Sequence, residues 1–330
     1  MNNIITLSQG SGGAETAALI NDVFMRYFHN DFNAPMNDAA VLETPGRIAF
    51  TSDSYIVRPL FFPGGDIGRL AVCGTVNDLL TAGAAPRYLS ACFVLEEGLP
   101  LDDLRRICRS MAETAAEAGV SIVTGDTKVV EAAGEGGGVI INTAGIGTLR
   151  GEEVSFAAAQ AGDVLIVTGT LGDHHACILG SRLGMQSEIK SDAAPLCGIV
   201  GALLAAGIPL HGMRDITRGG LATVCNELAG ASHLRVEITQ AAVPVSKEVE
   251  GFCALLGLDP LYMGNEGKML ITVPEQEAAR ALAVIRAEKY GGTAAVVGRL
   301  AEGTGAVLCT PLGARRILPP LRGEGLPRIC

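Results

Sequence analysis

Leu101, Leu104, Ile107, Met111, Ala115 and Ala118 recur every three or four residues, the spacing of one helix face. Pro100 stands just before this run and Gly119 just after it, so the pattern predicts a helix over Leu101–Ala118. From Leu89 to Leu95 the alternation has period two and predicts a strand. Val120–Thr124 is nearly unbroken apolar text, reads as a buried strand, and leads into Gly125-Asp126-Thr127-Lys128. Upstream, a Gly-rich loop, Ser8–Gly13, precedes a helical pattern over Ala14–Phe28. A strand over Arg47–Ser52 runs into Asp53, and a helix over Asp66–Ala84 contains Asn77-Asp78 and ends near Gly83.

Small and polar residues around 148–162 mark a domain boundary. A second α/β unit opens with a strand over Asp163–Thr168. Helices near 175–184, 193–206 and 220–230 and strands near 234–238 and 268–273 follow. The chain therefore divides into an N-terminal α/β domain (1–152), a C-terminal α/β domain (153–310) and a tail (311–330). Four Pro and three Gly in the tail forbid a regular helix and predict an extended, mobile arm. At ~3.3 Å per residue, the stretch from Pro319 to Cys330 spans roughly 35–40 Å.

Of the 330 residues, 48% are hydrophobic and 18% charged, which suffices for packed cores. Aromatics are scarce (4%) and the net charge is −10 with no basic stripe, which argues against nucleic-acid partners. Phosphates would need a divalent cation to sit among these acids. The N-terminus lacks the basic start and apolar stretch of a signal peptide. The longest apolar run, Gly198–Leu210, is too short and Gly-interrupted to span a bilayer, so no membrane partner and a cytoplasmic location are expected. Nine cysteines without a CxxC pair suit a reducing compartment.

Asp38, Asp53, Asp78 and Asp126 sit at strand ends or in short Gly/Asn motifs. Converging carboxylates repel unless a cation joins them, and hard oxygen ligands select Mg²⁺ or Ca²⁺. In an extended segment Asp126 and Lys128 point to one side, giving a metal ligand beside a phosphate-binding ammonium, or else a surface ion pair. Asp215-Ile-Thr217-Arg-Gly219-Gly220 precedes a helix. Thr217 is the expected N-cap, and the glycines allow an anion to approach the helix N-terminus. Glu266, in Gly264-Asn-Glu-Gly-Lys268, is a candidate base screened by Lys268; the segment is not a P-loop. His174 and His175 are adjacent on a helix, point apart, and are expected to be structural. Cys330, a thiol at the end of a flexible arm, is best explained as a carrier.

This motif set resembles the hydrogenase-maturation family HypE, within the ATP-binding (PurM-like) superfamily of aminoimidazole ribonucleotide synthetase. The resemblance spans the chain. It rests on Ser8–Gly13, Asn37-Asp-Ala-Ala40, Asn77-Asp78, Gly125–Lys128, Asp215–Gly220, Asn265–Lys268 and the terminal Pro327-Arg-Ile-Cys330. Gln9 stands where the family carries His. The resemblance implies a two-domain fold that dimerises through the N-terminal domain, with ATP and Mg²⁺ as cofactors. A HypF-type transferase would carbamoylate Cys330, the group would be dehydrated to a thiocyanate, and a HypC–HypD complex would accept the cyanide. Phosphorylating the thiocarbamate oxygen makes it a good leaving group while Glu266, or alternatively Lys128, removes protons. Gly10, Ser11, Gly12, Gly13, Asn77, Thr127, Thr217, Gly219 and Gly220 are the implied phosphate-binding set, and Asp38, Asp53, Asp78 and Asp126 the metal set. The alternatives are another ATP-dependent enzyme of the superfamily or a non-enzymatic iron or cyanide carrier. A selenophosphate synthetase is disfavoured because the first cysteine is Cys73.

Overall fold

The computed structural model describes residues 4–11, 13–34, 39–132, 137–149 and 151–321. α1 (Ala14–Leu19) continues through a π-helical turn, Ile20–Phe24, into α2 (Met25–Phe28). Then come β1 (Ile48–Tyr55), a small hairpin of β2 (Phe61–Phe62) and β3 (Gly65–Asp66), α3 (Ile67–Thr81), β4 (Ala84–Glu96), α4 (Leu101–Ala118), β5 (Ser121–Val130) and β6 (Val139–Leu149). Helix α4 has the bounds its periodicity predicts. Asp102 and Asp103 complement its N-terminal dipole, and Gly119 closes it in the left-handed conformation, φ 70°. Strand β5 runs further than expected, so Gly125–Lys128 lies inside a strand and not beyond its end.

The N-terminal sheet has the order β1-β6-β4-β5. Leu89, Ala91, Phe93 and Leu95 alternate inward from β4 and are buried, and α3 packs on β1, β4 and β6. The opposite face is open. Ile48, Phe50, Val130 and Ile140 are exposed there, and Phe50 keeps 68% of its surface in solvent.

The second domain contains β7 (Val164–Val167), α5 (Asp173–Arg182), α6 (Cys197–Ala205), β8 (Gly212–Asp215), α7 (Gly220–Ser232), β9 (Arg235–Thr239), α8 (Lys247–Leu256), β10 (Met269–Val273), α9 (Ala278–Ala287), β11 (Ala295–Ala301), β12 (Ala306–Cys309) and β13 (Arg315–Ile317). Its sheet has the order β13-β12-β9-β11-β7-β10-β8. Leu221, Val224 and Leu228 of α7 close one core over Val236, Ile238 and Leu308. The other core, which includes α6 and α9, continues into the first domain. Residues 311–319, expected to belong to the free arm, are tied down instead. β13 pairs with β12, Leu318 is 1% exposed, and the Pro319 carbonyl accepts from the Tyr262 hydroxyl at 3.0 Å. Composition alone missed this because three residues of strand pairing leave almost no periodic signal. Among the described residues, no helix is long and apolar enough to cross a membrane.

A polar clamp joins the domains at α4 and the end of α9. Glu117 accepts from Arg69 (3.2 Å), Lys289 (2.6 Å) and the Tyr290 hydroxyl, and Arg69 also donates to Tyr290 at 3.1 Å. Partial burial pushes the Glu117 carboxyl up, but Lys289, Tyr290 and Arg69 outweigh it and hold it at about 2. A depressed carboxyl stabilises the fold fully above its unfolded pKa and loses that contribution as pH falls through its folded one. Glu117→Gln is therefore expected to cost about 1.5–3 kcal/mol at pH 7, the worth of hydrogen bonds to a charged group. It should also flatten the loss of stability between about pH 5 and pH 2. Urea unfolding at several pH values checks both.

Candidate active site

A cleft of about 850 Å³ opens where the β1 edge and α3 of the first domain face the β8–α7 connection of the second. Asp53 and Thr51 on β1, Asp78 on α3, Asp215 at the end of β8, Thr217, Arg218 and Glu266 all line it. Thr51 donates to Asp78 at 2.9 Å. Burial first, then the neighbouring Asp53, raises the Asp78 carboxyl, with Thr51 and Arg214 opposing. Asp215 is pushed up to about 7 by burial and then by Asp78, with a smaller part from Asp53. Burial, then Asp192, Asp215 and Asp53, holds Glu266 well above the usual carboxylate range, against the pull of Arg218. These carboxyls share one pocket with too little positive charge, the setting in which a divalent cation is welcome. Still, among the described residues no three His, Cys, Asp or Glu side chains form a group that could hold a metal ion. Asp215 was not in the sequence-derived metal set, although its position closing a strand ahead of Gly219-Gly220 is a readable signal.

Helix α7 points its N-terminus at this cleft. Gly219 (φ 80°) is the N-cap and has no side-chain partner for the free N–H groups; Thr217, expected as the cap, lies two residues earlier and lines the pocket. The left-handed turn explains the shift, since both Gly219 and Gly220 have positive φ. A Cβ on Gly220 would also come within 2.5 Å of the Leu261 carbonyl oxygen.

The remaining expected residues lie elsewhere. Asp126 and Lys128 are on β5, the other edge of the sheet from β1. Three strand spacings separate these edges, about 14 Å. Their side chains form an exposed ion pair at 2.7 Å, and Lys128 holds the Asp126 carboxyl below its usual range. Gly10 packs on this edge, where a Cβ would lie 2.8 Å from Val129. Ser11 follows it, and Gly13 is the N-cap of α1. Beside them Asp126 and Thr127 border a second hollow, about 500 Å³, lined by Phe24, Phe28, Phe93 and Ile122. Asn77 is not in either hollow. It is 2% exposed, and its amide bridges the domains: Oδ1 accepts from Leu196 N–H at 2.9 Å, and Nδ2 donates to the carbonyls of Ala194 (3.0 Å) and Glu266 (3.4 Å). Lys268 does not screen Glu266 directly but sits 3.5 Å from Asp192. His174 and His175 are buried, and burial lowers both to about 4; His174 shares a hydrogen bond with Ser191. Gly12, Asp38 and Cys330 lie outside the described residues.

Residues 36–149 match the AIR synthase related protein N-terminal domain, and residues 160–309 match its C-terminal domain. The carbamoyl dehydratase HypE of Rhodobacter capsulatus is 48% identical over 99% of this chain and 98% of its own length. The chain belongs to the HypE family. A crystal structure of a HypE protein in complex with ATP superposes with a TM-score of 0.94 at 46% identity, covering 98% of this chain and 99% of that one. The HypE chain of a HypE–HypF complex superposes at 0.81 with 43% identity, covering 92% and 100%. The two-domain PurM-like architecture expected from the motifs is thus the HypE architecture, and the cleft lies between its two AIR synthase-related domains.

Proposed function

We propose that this chain is an ATP-dependent carbamoyl dehydratase that acts on its own C-terminal Cys330 and supplies the cyanide ligand of [NiFe]-hydrogenase iron. The observation that carries this reading is the meeting of Asp53, Asp78, Asp215 and Glu266 with the uncapped N-terminus of α7 in one interdomain cleft. An anion binds at such a helix end, and raised carboxyls nearby suit proton removal at neutral pH. Identity with carbamoyl dehydratases across the full length supports it.

In the proposed reaction a HypF-type transferase first places a carbamoyl group on the Cys330 sulfur. The carbamoyl oxygen attacks the γ-phosphorus of ATP and ADP leaves, while Glu266 takes one amide proton and releases it to solvent. The second amide proton then goes to Glu266, the carbon–oxygen bond breaks, and phosphate departs to leave S–C≡N. The N–H groups of the first turn of α7, with Thr217, Gly219 and Gly220 beside them, would bind phosphoryl oxygens, and one or two of Asp53, Asp78 and Asp215 would hold Mg²⁺. Magnesium, when bound, neutralises charge on the transferring phosphoryl group. Few protein ligands are needed, because Mg²⁺ is commonly completed by phosphate oxygens and water. The cyano group then passes to a HypC–HypD acceptor. On the carbamoylated full-length chain, adding Mg-ATP should lower the intact mass by one water. An unchanged mass with normal ATP binding would refute the dehydratase reading in favour of a carrier scaffold.

The division of the expected nucleotide residues between two sheet edges supports a homodimer. The open apolar face with Phe50, Ile48, Val130 and Ile140 offers the contact. Two-fold pairing there lets Gly10, Ser11, Gly13, Asp126, Thr127 and Lys128 of one protomer serve the cleft of its partner. Light scattering should give twice the chain mass, and Phe50→Lys should shift it to the monomer. A wild-type monomer at working concentration would contradict the shared site.

A further inference from the structure

Segment 191–196 runs between the domains and is fastened on both sides. On one side, Ser191 N–H donates to the Pro63 carbonyl (2.8 Å), and the carbonyls of Ala193 and Ala194 accept from Arg69 and Asn77 (2.7 and 3.0 Å). On the other side, Glu266 N–H donates to Asp192 Oδ1 at 2.9 Å, and Ala194 N–H donates to the Glu266 carbonyl at 3.5 Å. Gly267 lies so close that a Cβ there would be 2.0 Å from the Asp192 carbonyl oxygen and 2.8 Å from Ala194 N. The Asp192 side chain is 4% exposed. Its Oδ2 has no hydrogen-bond partner and sits 3.5 Å from the Lys268 ammonium, itself 10% exposed.

We infer that Asp192 is a positioning residue for the dehydration, holding the backbone of Glu266 so that its carboxyl meets the substrate across the cleft. This rests on the reading of Glu266 as the base. A buried carboxylate is costly unless paired and hydrogen-bonded. Asp192 carries that cost at the one point where an acceptor reaches the Glu266 N–H. Lys268, two residues after Glu266, compensates its charge. Because the same segment is stitched to Pro63, Arg69 and Asn77, the position of Glu266 is set relative to the first domain, where Asp53 and Asp78 stand. A base carried on a loop of one domain thus keeps its distance from ligands of the other.

Two paired replacements isolate the hydrogen bond. Asp192→Asn with Lys268→Met removes both charges but keeps an acceptor for Glu266 N–H. Asp192→Leu with Lys268→Met removes the acceptor as well. With the carbamoylated full-length chain and Mg-ATP, the Asn pair should turn over within about threefold of wild type. The Leu pair should lose about 10²-fold in kcat, the scale of a misplaced catalytic group, with the KM for ATP changed less than about threefold. Should the Leu pair fail to fold, Asp192→Ser with Lys268→Met replaces it, because the shorter hydroxyl does not reach the Glu266 N–H; the same loss is expected. Equal kcat for the Asn and Leu (or Ser) pairs overturns the inference. Adding Glu266→Gln separates it from the reading on which it rests. If Glu266 is the base, the two pairs become equal in that background. If Glu266→Gln alone retains full activity, the base assignment fails. A dead Glu266→Gln enzyme with indistinguishable Asn and Leu pairs leaves the base in place and removes only Asp192.

Discussion

Glu266→Gln is expected to lower kcat for ATP-dependent dehydration by about 10²–10⁴-fold, the usual contribution of a positioned general base. The KM for ATP should stay within a few-fold. Gln keeps the size of the side chain and cannot accept a proton. Glu266 faces the cleft with Asp215 and Asp53 in electrostatic reach and is desolvated, so its carboxyl lies well above the usual range. A carboxyl in that condition is a stronger base than one in water, and Asp192 and Asp215 add to the effect by repulsion. Lys128 is the competing choice. It is exposed and locked to Asp126 on the far sheet edge, so it would reach the cleft only in the proposed dimer, from the second protomer. Single-turnover measurements decide: a silent Lys128→Met beside a nearly unimpaired Glu266→Gln would point to a base absent from both assignments. A dead Lys128→Met with an active Glu266→Gln would transfer the role.

The elements that position this site were legible in proportion to how local their signals are. Helix α4 was readable to the residue because its apolar face, Pro100 and Gly119 act within one segment. Asp53, Asp78 and Glu266 were readable as candidates because each sits in a short polar motif between apolar runs. Pairing was not readable. That β1 and β5 form opposite edges depends on β6 inserting between β1 and β4, and Val139–Leu149 mixes small, polar and apolar residues without a clean alternation of types. Asp126 therefore looked like a companion of Asp53, when one chain places them on different edges. Asn77 misled for a related reason. An Asn-Asp pair suggests a ligand site, yet its amide is taken by backbone groups of residues 194, 196 and 266, more than a hundred positions away. Asp192 was invisible for the same cause, since its partners at 266 and 268 are joined to it only by the fold. Thr217 was a reasonable cap by residue type, and the two left-handed glycines that follow moved the helix start beyond it.

Cys330→Ser is expected to abolish the loss of water entirely, since no carbamoyl sulfur remains to be converted, while ATP binding and the melting temperature stay at wild-type values. The buried cysteines do not offer a substitute carrier. Cys73, Cys108, Cys177, Cys225 and Cys253 are buried, and Cys92, Cys197 and Cys309 are partly covered. Burial pushes the thiols of Cys177, Cys197 and Cys253 up to about 11, and raises those of Cys73, Cys108 and Cys225 further still. Thiols held protonated inside a core are poor nucleophiles, so a transferase has little to act on there. The last anchoring contact is the Pro319 carbonyl, which accepts from the Tyr262 hydroxyl, and Cys330 lies eleven residues beyond Pro319. At ~3.3 Å per extended residue that stretch would span about 36 Å, long relative to an 850 Å³ cleft. Shortening it should matter in steps. Removing two residues upstream of Pro327 reduces the reach by about 7 Å and is expected to slow dehydration, whereas adding Gly-Ser pairs should be tolerated because longer loops cost little extra entropy. Water loss that persists in Cys330→Ser, or a rate indifferent to every shortening, would mean that the group being dehydrated does not travel on the end of this chain.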